Sequence, residues 1–294
     1  MRNLRALPLC LLASCVGLTG CFHTTRVVQK TQAPDTYKTT SVQELEKQVS
    51  DRASALKTLS ASVMLTLSVG GGKEGQVTTY TSFQGYIFVQ QPASLRVILQ
   101  LPVIRSRAMD MVSDGQKFTL LIPPRNKAIT GTNEVTTPSA NKMENLRPPV
   151  FLDSLLIRGI SDKDLVSLTE STRILPPEGK QKIAIEEPDY DLSVMKVKEG
   201  NILVPERVIH ISRVTMLPYR QDIYDDQGRV VTQADYEKYQ TYNGQQFASK
   251  ITIRRPLDEY QLVIDITKLT LNEELDADEF IPPTIPAGMT VQKM

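Results

Sequence analysis

The feature that most constrains the fold is a change of hydrophobic period at Leu59. Before it, from Val42, apolar residues recur every three or four positions, which is typical of an amphipathic helix. After it, apolar and polar residues alternate as far as Val69, which is the pattern of a strand with one buried face. Ser41 and Glu44 have the spacing of a capping box, which marks a helix start. The sequence therefore predicts a helix followed directly by a long strand.

Further apolar runs follow at hairpin spacing, so the chain is dominated by predicted strands. Glycines and prolines end these runs, and Asp114-Gly115 is a typical two-residue hairpin turn. Between two groups of strands, residues 133–149 are predicted to form a loop with a helical turn near Met143, and Pro149 to begin a short apolar helix before Gly159. The predicted strands are 77–89, 95–101, 108–113, 117–122, 127–131, 190–197, 205–215, 218–224, 229–232, 247–254 and 261–271.

This order of elements predicts a mainly β fold with helices, of the α+β class. Strands that are joined by hairpins and alternate on one face favour a curved antiparallel sheet. We expect the sheet to form an incomplete β-barrel over residues 41–294, with the helices packed on its concave side as a cap. A closed barrel or a sandwich is the alternative.

The first residues have the three parts of an export signal. Arg2 and Arg5 precede an apolar segment, residues 6–18, that is shorter than the roughly 20 residues of a permanent membrane span. The segment ends in Leu18-Thr19-Gly20-Cys21, which resembles the lipobox of bacterial lipoproteins. That resemblance implies a signal peptide over residues 1–20 and a diacylglycerol on the thiol of Cys21. The alternative is an ordinary secretory signal with a chance cysteine.

Cysteine usage and charge agree with this interpretation. The chain has three cysteines, and Cys10 and Cys15 lie in the predicted signal, so Cys21 would stand alone, with no disulfide or cysteine-rich metal site. The 34 Lys and Arg residues nearly balance 33 Asp and Glu residues without a basic run, which argues against a nucleic acid partner. Residues 21–40 are polar, so we expect a flexible tether.

The residue after the cysteine bears on the location. In bacteria with two membranes, Asp at this place retains lipoproteins in the inner membrane, and this chain has Phe22 instead. The analogy predicts a lipid-anchored protein of the cell envelope, in the outer membrane and facing the periplasm. The inference does not apply to a host with one membrane.

Catalytic and metal-binding patterns are absent from the sequence. His23 lies in the predicted tether, and His210 is predicted on the polar face of a strand. There is no serine elbow, His-x-x-x-His pair or glycine-rich phosphate loop, so we predict a non-enzymatic protein without cofactor or metal. The acidic residues at 225–226 and 276–279 lack the spacing of an EF-hand, which favours solvated turns. Tyr236, Tyr239 and Tyr242 recur at three-residue steps, which indicates either a recognition surface or the packing of a short helix or edge strand.

Several stretches resemble the LolA/LolB-like superfamily of periplasmic lipoprotein carriers and outer-membrane lipoprotein receptors. They are FQGYIFVQQP at 83–92, RVIL at 96–99, VSDG at 112–115 and LDADEF at 275–280 with the prolines after it. The stretches YDDQGR at 224–229 and FASKI at 247–251 resemble an uncharacterised lipoprotein branch of the same superfamily. The resemblance covers most of residues 41–290. The chain departs from the pattern in its greater length and in having no tryptophan.

The resemblance implies an incomplete barrel that encloses an apolar cavity for acyl chains. Strand alternation assigns a set of apolar residues to the inward face, and its methionines would adapt to variable apolar ligands. The alternative is that the same residues fill an ordinary dry core. The predicted cavity residues are Val63, Leu65, Leu67, Phe83, Ile87, Val97, Leu99, Met109, Met111, Phe118 and Leu120.

One loop is a candidate for membrane contact. Pro102 lacks a backbone donor and should end its strand, which would leave Val103 and Ile104 at a loop tip beside Arg105 and Arg107. The loop resembles the one with which receptor members of the superfamily touch the bilayer. The alternative is that both side chains fold back onto the barrel rim.

These observations lead to two functional hypotheses. The first is a membrane-anchored lipoprotein that binds membrane lipid or the acyl chains of other lipoproteins, in lipoprotein localisation or outer-membrane biogenesis. The second is an anchored structural or assembly subunit that uses the same fold to bind a protein partner in the envelope.

Overall fold

A computed structural model describes residues 25–134, 146–177, 179 and 182–294. The chain divides into two compact units, residues 1–34 with 174–186 and residues 35–173 with 187–294. The predicted signal peptide, Cys21 and the predicted helical turn near Met143 lie outside the described residues. Within the described ranges, no helix is both long enough and apolar enough to cross a membrane.

The described residues contain two α-helices, α1 (Val42–Ala55) and α2 (Pro148–Leu155), and short 3₁₀ helices at Pro123–Arg125, Glu199–Asn201 and Ala277–Phe280. The strands are β1 (Thr31–Gln32), β2 (Thr58–Gly71), β3 (Gln76–Thr79), β4 (Phe83–Gln90), β5 (Ser94–Gln100), β6 (Arg107–Ser113), β7 (Lys117–Ile122), β8 (Lys127–Thr132), β9 (Leu165–Leu175), β10 (Ala184–Lys198), β11 (Ile202–Ser212), β12 (Pro218–Tyr224), β13 (Val230–Tyr242), β14 (Gln245–Arg255), β15 (Tyr260–Leu271) and β16 (Thr290–Lys293).

The sheet is open and mostly antiparallel. In the large unit its strands follow the order β10-β11-β12-β13-β14-β15-β2-β4-β5-β6-β7-β8, and every one of these neighbours pairs antiparallel. β16 adds to β8 in parallel, β3 pairs with β2, and β9 pairs with β10. The prediction of a mainly β fold, with an unclosed sheet and helices, is confirmed.

In the small unit, β1 pairs in parallel with the first residues of β10. Thr31 aligns with Ala184 and Gln32 with Ile185, and the Thr31 hydroxyl donates to Glu186 Oε2 at 3.1 Å. In the large unit, Lys38 exchanges backbone and side-chain hydrogen bonds with Arg213 at 2.8 and 3.0 Å. That residues 21–40 act as a flexible tether stays a prediction.

Helix α1 begins as the capping box predicts. Ser41 Oγ accepts a hydrogen bond from the backbone N–H of Glu44 at 3.2 Å. Leu45 and Val49 are buried against inward-facing residues of β10 and β11. The helix therefore packs its apolar stripe on the sheet, as its period indicates.

The prediction of a single strand over 77–89 is wrong. The chain forms two strands, and both pair with the same edge of β2. Thr79 aligns with Ser68 but Phe83 with Leu65, so three residues, 80–82, lie opposite two residues of β2. This one-residue shift interrupts the ladder, and β3 is exposed throughout whereas β4 buries alternate residues.

Three further strands depart from the sequence prediction. β9 was not predicted, because its alternating residues are largely polar and exposed. The predicted strand 229–232 is too short, because β13 continues to Tyr242. The three tyrosines at 236, 239 and 242 therefore lie on a strand. Beyond Asp235 that strand pairs with β14 alone. The short parallel strand β16 was also missed, because a four-residue edge strand has little periodicity to detect.

The C-terminal segment is attached to the outer face of the sheet. Arg96 on β5 donates to both carboxylate oxygens of Asp110 on β6, and to the backbone and side chain of Glu279. The chain then reaches β8, where an added Cβ on Gly131 would lie 2.1 Å from the carbonyl oxygen of Met294. Only glycine allows this close approach of the C-terminus, which covers part of a sheet edge.

Candidate functional site: an apolar cleft and an exposed loop

A cleft of about 470 Å³ lies between α1, the residues that follow α2, and strands β13 and β14. This volume falls within the range of roughly 300–1,000 Å³ of small-molecule sites. Its walls are mostly apolar, and its polar residues belong to α1 and the β13–β14 turn. The lining residues are Gln48, Val49, Asp51, Arg52, Ala53, Ala55, Leu56, Leu155, Leu156, Ile157, Pro218, Tyr236, Tyr239, Gly244, Gln245, Gln246, Phe247, Ala248 and Ile251.

The wall formed by α1 is fixed at the end of the helix. The carbonyl oxygen of Ala55 accepts hydrogen bonds from the side-chain amides of Gln245 at 3.0 Å and Asn272 at 2.7 Å. The carbonyl of Ala53 accepts from Gln91 Nε2 at 3.0 Å. These side chains satisfy carbonyl groups that a helix end leaves without partners, so they tie α1 to β14 and the neighbouring loops.

The opposite wall is held by Arg207 on β11. Its guanidinium donates to the carbonyl oxygens of Arg158 at 2.6 Å and Gly159 at 2.7 Å, directly after the lining residues 155–157. Gln221 Nε2 also donates to the carbonyl of Asp153 at 2.8 Å. Buried polar side chains thus anchor the backbone of this wall to the sheet.

Two tyrosines of β13 line the cleft and differ in their hydroxyl groups. Tyr239 donates to the carbonyl of Pro218 at 2.7 Å. Tyr236 is only 6% exposed, and its hydroxyl has no hydrogen-bond partner among the described residues. Burial raises the pKa of both phenols, so they are neutral at physiological pH.

The rim of the cleft on α1 is polar and charged. Lys47 pairs with Asp51 at 2.6 Å, and Gln48 donates to Glu44 at 3.1 Å. Arg52 lies in the last turn of α1, where the helix dipole favours a cation, and its guanidinium contacts the carbonyl of Met216 at 3.5 Å. The cleft therefore has an apolar interior beneath a polar mouth.

The residues predicted to line an acyl cavity lie together elsewhere in the sheet. All eleven belong to or pack against one apolar cluster on its inner face, and all except Phe83 are buried. None of them lines the cleft. Phe118 lines a different cavity of about 610 Å³, between strands β6 to β8 and the C-terminal segment. The acyl-binding role of this set stays a prediction.

The predicted loop residues lie on the surface. Val103 is 97% exposed and Ile104 is 70% exposed, in a tight turn that is closed by hydrogen bonds from Ile104 N to Pro102 O at 2.8 Å and from Arg105 N to Leu101 O at 3.1 Å. Val103 has a φ of +68°, which a β-branched residue rarely adopts. Contact of this loop with a bilayer stays a prediction.

The strand registers place the loop and the cleft at opposite ends of the large sheet. The loop follows β5 where Gln100 aligns with Gln84, and the β10–β11, β12–β13 and β14–β15 turns lie at this same end. The β11–β12 and β13–β14 turns lie at the other end and border the cleft through Pro218 and residues 244–246. We name these the loop end and the cleft end.

A polar network joins β10, β11 and β12 on the outer face. His210 Nδ1 lies 2.6 Å from Asp191 Oδ1, and Nε2 lies 3.6 Å from Asp222 Oδ2. Burial lowers the pKa of His210, but the hydrogen bond to Asp191 and the negative charge of the nearby Asp222 outweigh burial and raise the pKa to about 9. The ring is therefore a cation at neutral pH that bridges three strands. On the described residues, no three His, Cys, Asp or Glu side chains are placed to share a metal ion.

The acidic turns have the structural role that the sequence indicated. Asp225 Oδ1 accepts hydrogen bonds from the backbone N–H of Gln227 at 2.8 Å and of Arg229 at 2.9 Å, and Asp276 Oδ1 accepts one from the backbone N–H of Asp278 at 3.0 Å.

The sequence analysis missed most of the cleft residues. The sequence contains one relevant signal, the tyrosine spacing on β13. This spacing indicates packing or a recognition surface, but it does not identify which other elements border the cleft.

The structure was compared with solved structures. A DUF1329 family protein from Desulfovibrio piger is 15% identical with a TM-score of 0.47, over 81% of this chain and 95% of that one. A LolA superfamily protein from Nitrosomonas europaea is 12% identical with a TM-score of 0.49, over 83% and 98%. A putative outer membrane lipoprotein-sorting protein domain from Vibrio parahaemolyticus is 12% identical with a TM-score of 0.44, over 81% and 94%.

No family model and no curated protein matches the sequence. The chain is structurally similar to LolA superfamily proteins, to a DUF1329 family protein and to outer membrane lipoprotein-sorting domains, in each case at low sequence identity.

Proposed function

We propose that this protein binds an acyl chain of a lipid or of a lipoprotein, without catalysing a reaction, in the cleft between α1 and strands β13–β14. The observation that carries the proposal is the cleft itself: about 470 Å³ of space with apolar walls and a polar mouth. Pockets of this size and lining are typical of sites for small apolar ligands.

The composition of the walls supports an acyl chain over a polar ligand. Inside the mouth, the side chains of Leu56, Leu155, Leu156, Phe247 and Ile251 offer no hydrogen-bonding groups. Each methylene group transferred from water to such walls contributes about 0.8 kcal/mol, offset by the cost of ordering the chain. A linear chain gains this contribution along its whole length, whereas a polar ligand would lose its hydration.

The proposed setting is the bacterial cell envelope. Acylation of Cys21 would anchor the chain, in the outer membrane and facing the periplasm if the host has two membranes. Val103 and Ile104 would insert into a lipid surface, since burying one such side chain contributes roughly 1.5–3 kcal/mol. Cys21→Ala should remove the fatty-acid label incorporated in growing cells, and label retained in that variant would contradict the anchor.

The cleft is tested by filling its mouth. Ala55 lines the cleft and is exposed, and its hydrogen bonds are made by the backbone carbonyl, which Ala55→Phe keeps; the larger side chain should therefore obstruct the site without disturbing the core. We expect at least about a tenfold loss of affinity for a fluorescent fatty acid, measured with residues 25–294 immobilised through an N-terminal tag.

Ser54→Phe is the matched control, because Ser54 is the exposed neighbour on the same helix and does not line the cleft. Its affinity should stay within about a factor of two of the unmodified chain. Equal affinity of both variants for the fatty acid would show that the ligand binds outside the cleft. If the unmodified chain does not bind the fatty acid, the proposal is wrong.

A further inference from the structure

The N-terminal segment is attached to the large unit directly before α1. The guanidinium carbon of Arg213 lies 4.8 Å from the ring centre of Tyr37 and 4.7 Å from that of Tyr190. The same guanidinium donates to the carbonyl of Lys38 at 3.0 Å and to the hydroxyl of Thr39 at 2.9 Å. Arg213 is only 7% exposed, so these cation–π contacts and hydrogen bonds form largely out of water. Residues 37–39 therefore have a fixed attachment point on Arg213.

This attachment point lies at the cleft end of the sheet. Arg213 belongs to the β11–β12 turn, which also supplies Pro218 to the cleft. The carbonyl of Met216 in the same turn contacts Arg52, which lines the cleft from α1. The cleft residues of α1 begin at Gln48, six residues after the helix starts, which is about 9 Å along the helix axis. Less than two turns of α1 therefore separate the start of the helix from the cleft.

The chain before the attachment point is long enough to bring the predicted lipid anchor to the cleft. Cys21 precedes Tyr37 by 16 residues, which extend to at most roughly 53 Å at about 3.3 Å per residue. The ten residues that precede β1, 21–30, extend to at most roughly 33 Å. Both limits exceed the length of α1, which is about 21 Å for its 14 residues.

A tethered acyl chain competes strongly with one in free solution. A ligand on a flexible linker that matches the span to its site has an effective concentration in roughly the millimolar range. A separate acyl chain must reach a comparable concentration in water to displace it. Apolar walls favour any acyl chain, whereas the tether favours the one that this chain itself carries.

From this geometry we infer that, in water, the cleft is occupied by an acyl chain of the protein's own lipid anchor on Cys21. The inference rests on the proposed function, because it names the source of the chain that the same cleft binds. The walls remove the hydrocarbon from water, and the polar mouth leaves the glycerol group in solvent. The cleft is therefore open to another acyl chain only after the anchor has entered a lipid surface.

The test uses residues 21–294, in which Cys21 is the only cysteine. One preparation is conjugated at the thiol with N-hexadecylmaleimide and the matched control with N-ethylmaleimide, so the two differ only in the length of the alkyl chain. Affinity for a fluorescent fatty acid is measured without detergent or lipid. We expect the hexadecyl conjugate to bind the fluorescent fatty acid at least about tenfold more weakly than the ethyl conjugate, because its tethered chain occupies the cleft.

A second measurement locates the tethered chain. A hexadecylmaleimide with a photoreactive diazirine at the end of its alkyl chain is conjugated to Cys21, irradiated and mapped by peptide mass spectrometry. We expect adducts within one molecule on the cleft residues, around Leu56, residues 155–157 and the β13–β14 hairpin. Their yield should stay constant over about a hundredfold dilution of the protein, because the contact is intramolecular.

The outcomes separate the two proposals. Equal affinity of the two conjugates for the fluorescent fatty acid would overturn the inference and leave the proposed function standing. Adducts that join two molecules and disappear on dilution would assign the occupancy to a second copy, and adducts outside the cleft would assign it to another surface. Either result would overturn the inference. Failure of the ethyl conjugate to bind the fatty acid would overturn the proposed function together with the inference.

Discussion

The two ends of the large sheet differ in whether their apolar side chains are exposed to solvent or enclose a space. At the loop end, Val103 and Ile104 project into solvent, and Ile202 and Leu203 are more than half exposed at the β10–β11 turn. At the cleft end, apolar residues of α1, β13 and β14 surround an interior space beneath a polar rim. One end offers apolar groups to a surface, and the other encloses them around a space.

This difference indicates two kinds of apolar partner. Exposed side chains on a convex loop suit an extended lipid surface, into which each side chain inserts separately. A concave cleft suits a single chain, which is buried on several sides at once. Strand β4 separates the two ends by roughly 27 Å at about 3.4 Å per residue over its 8 residues, so one acyl head group does not contact both. The predictions below test this division of roles.

The largest expected difference between the ends is in stability. Ile251 is fully buried beside the cleft, so Ile251→Ala should lower the free energy of unfolding by about 2–5 kcal/mol. Ile104→Ala at the loop end should change it by less than about 0.5 kcal/mol. Urea denaturation of residues 25–294 measures both, and similar losses for the two variants would show that the loop residue belongs to the core.

The second prediction concerns the ionic bridge that holds β12, the strand that contributes Pro218 to the cleft end. His210 has a folded pKa of about 9, above the value of roughly 6.5 for the unfolded chain. A raised pKa means that the folded state binds the proton more tightly, so its contribution is complete below about pH 6.5 and is lost as the pH rises through about 9. The loss should be at most about 3 kcal/mol.

The measurement compares unfolding free energies at pH 6 and pH 9.5. Burial raises the pKa of Asp189 to about 6, and that carboxyl titrates mostly below this window, so it adds little to the difference. His210→Gln should be less stable than the unmodified chain at pH 6, with a much smaller loss on going to pH 9.5. The same loss in both proteins would show that other groups cause the pH dependence.

The third prediction concerns the loop end alone. Ile104→Asp should weaken binding of residues 25–294 to anionic liposomes by about tenfold to a hundredfold, since the inserted side chain contributes roughly 1.5–3 kcal/mol. Its melting temperature should stay within a few degrees, because Ile104 is exposed. The control is Ile202→Asp, a comparable exposed isoleucine on the β10–β11 turn.

If Ile202→Asp weakens liposome binding as strongly as Ile104→Asp, the whole loop end contacts the lipid surface rather than one loop. If neither substitution has an effect, the loop end does not contact the membrane. Neither result bears on ligand binding at the cleft end.

The smallest expected effect is at Tyr236. Replacing a buried unpaired hydroxyl by hydrogen removes a destabilising group, so Tyr236→Phe should raise the free energy of unfolding by up to about 1 kcal/mol or leave it unchanged. Tyr239→Phe should lower it by about 1 kcal/mol, because the carbonyl of Pro218 loses its donor. A loss of similar size in both variants would show that the Tyr236 hydroxyl already has a partner.

The sequence predicted the fold well where local patterns carry it. The capping box before α1 and the alternation along β2 are properties of neighbouring residues, and they give the correct element and the correct inward face. The same patterns missed β9, whose exposed polar residues carry no burial signal, and the interruption between β3 and β4, which depends on the register with β2.

The cleft could not be located in this way, for a physical reason. Alternation identifies which residues face inward, but whether they pack together or border a space depends on where the helices lie on the sheet. Val63 and Val97 are packed within the core, whereas Tyr236 on β13 and Ile251 on β14, which are buried in the same apolar cluster, border the cleft. No local pattern distinguishes these two pairs.

The position of the bound chain tests the central claim most directly. A fatty acid that carries a photoreactive diazirine, cross-linked to the full chain and mapped by peptide mass spectrometry, reports which residues it touches. The account predicts adducts on the residues of the cleft, around Ala55–Leu56, Leu155–Ile157 and the β13–β14 hairpin. Adducts concentrated instead on the inner faces of β2 and β5, around Val63 and Val97, would contradict it and place the ligand among the core residues on the inner face of the sheet.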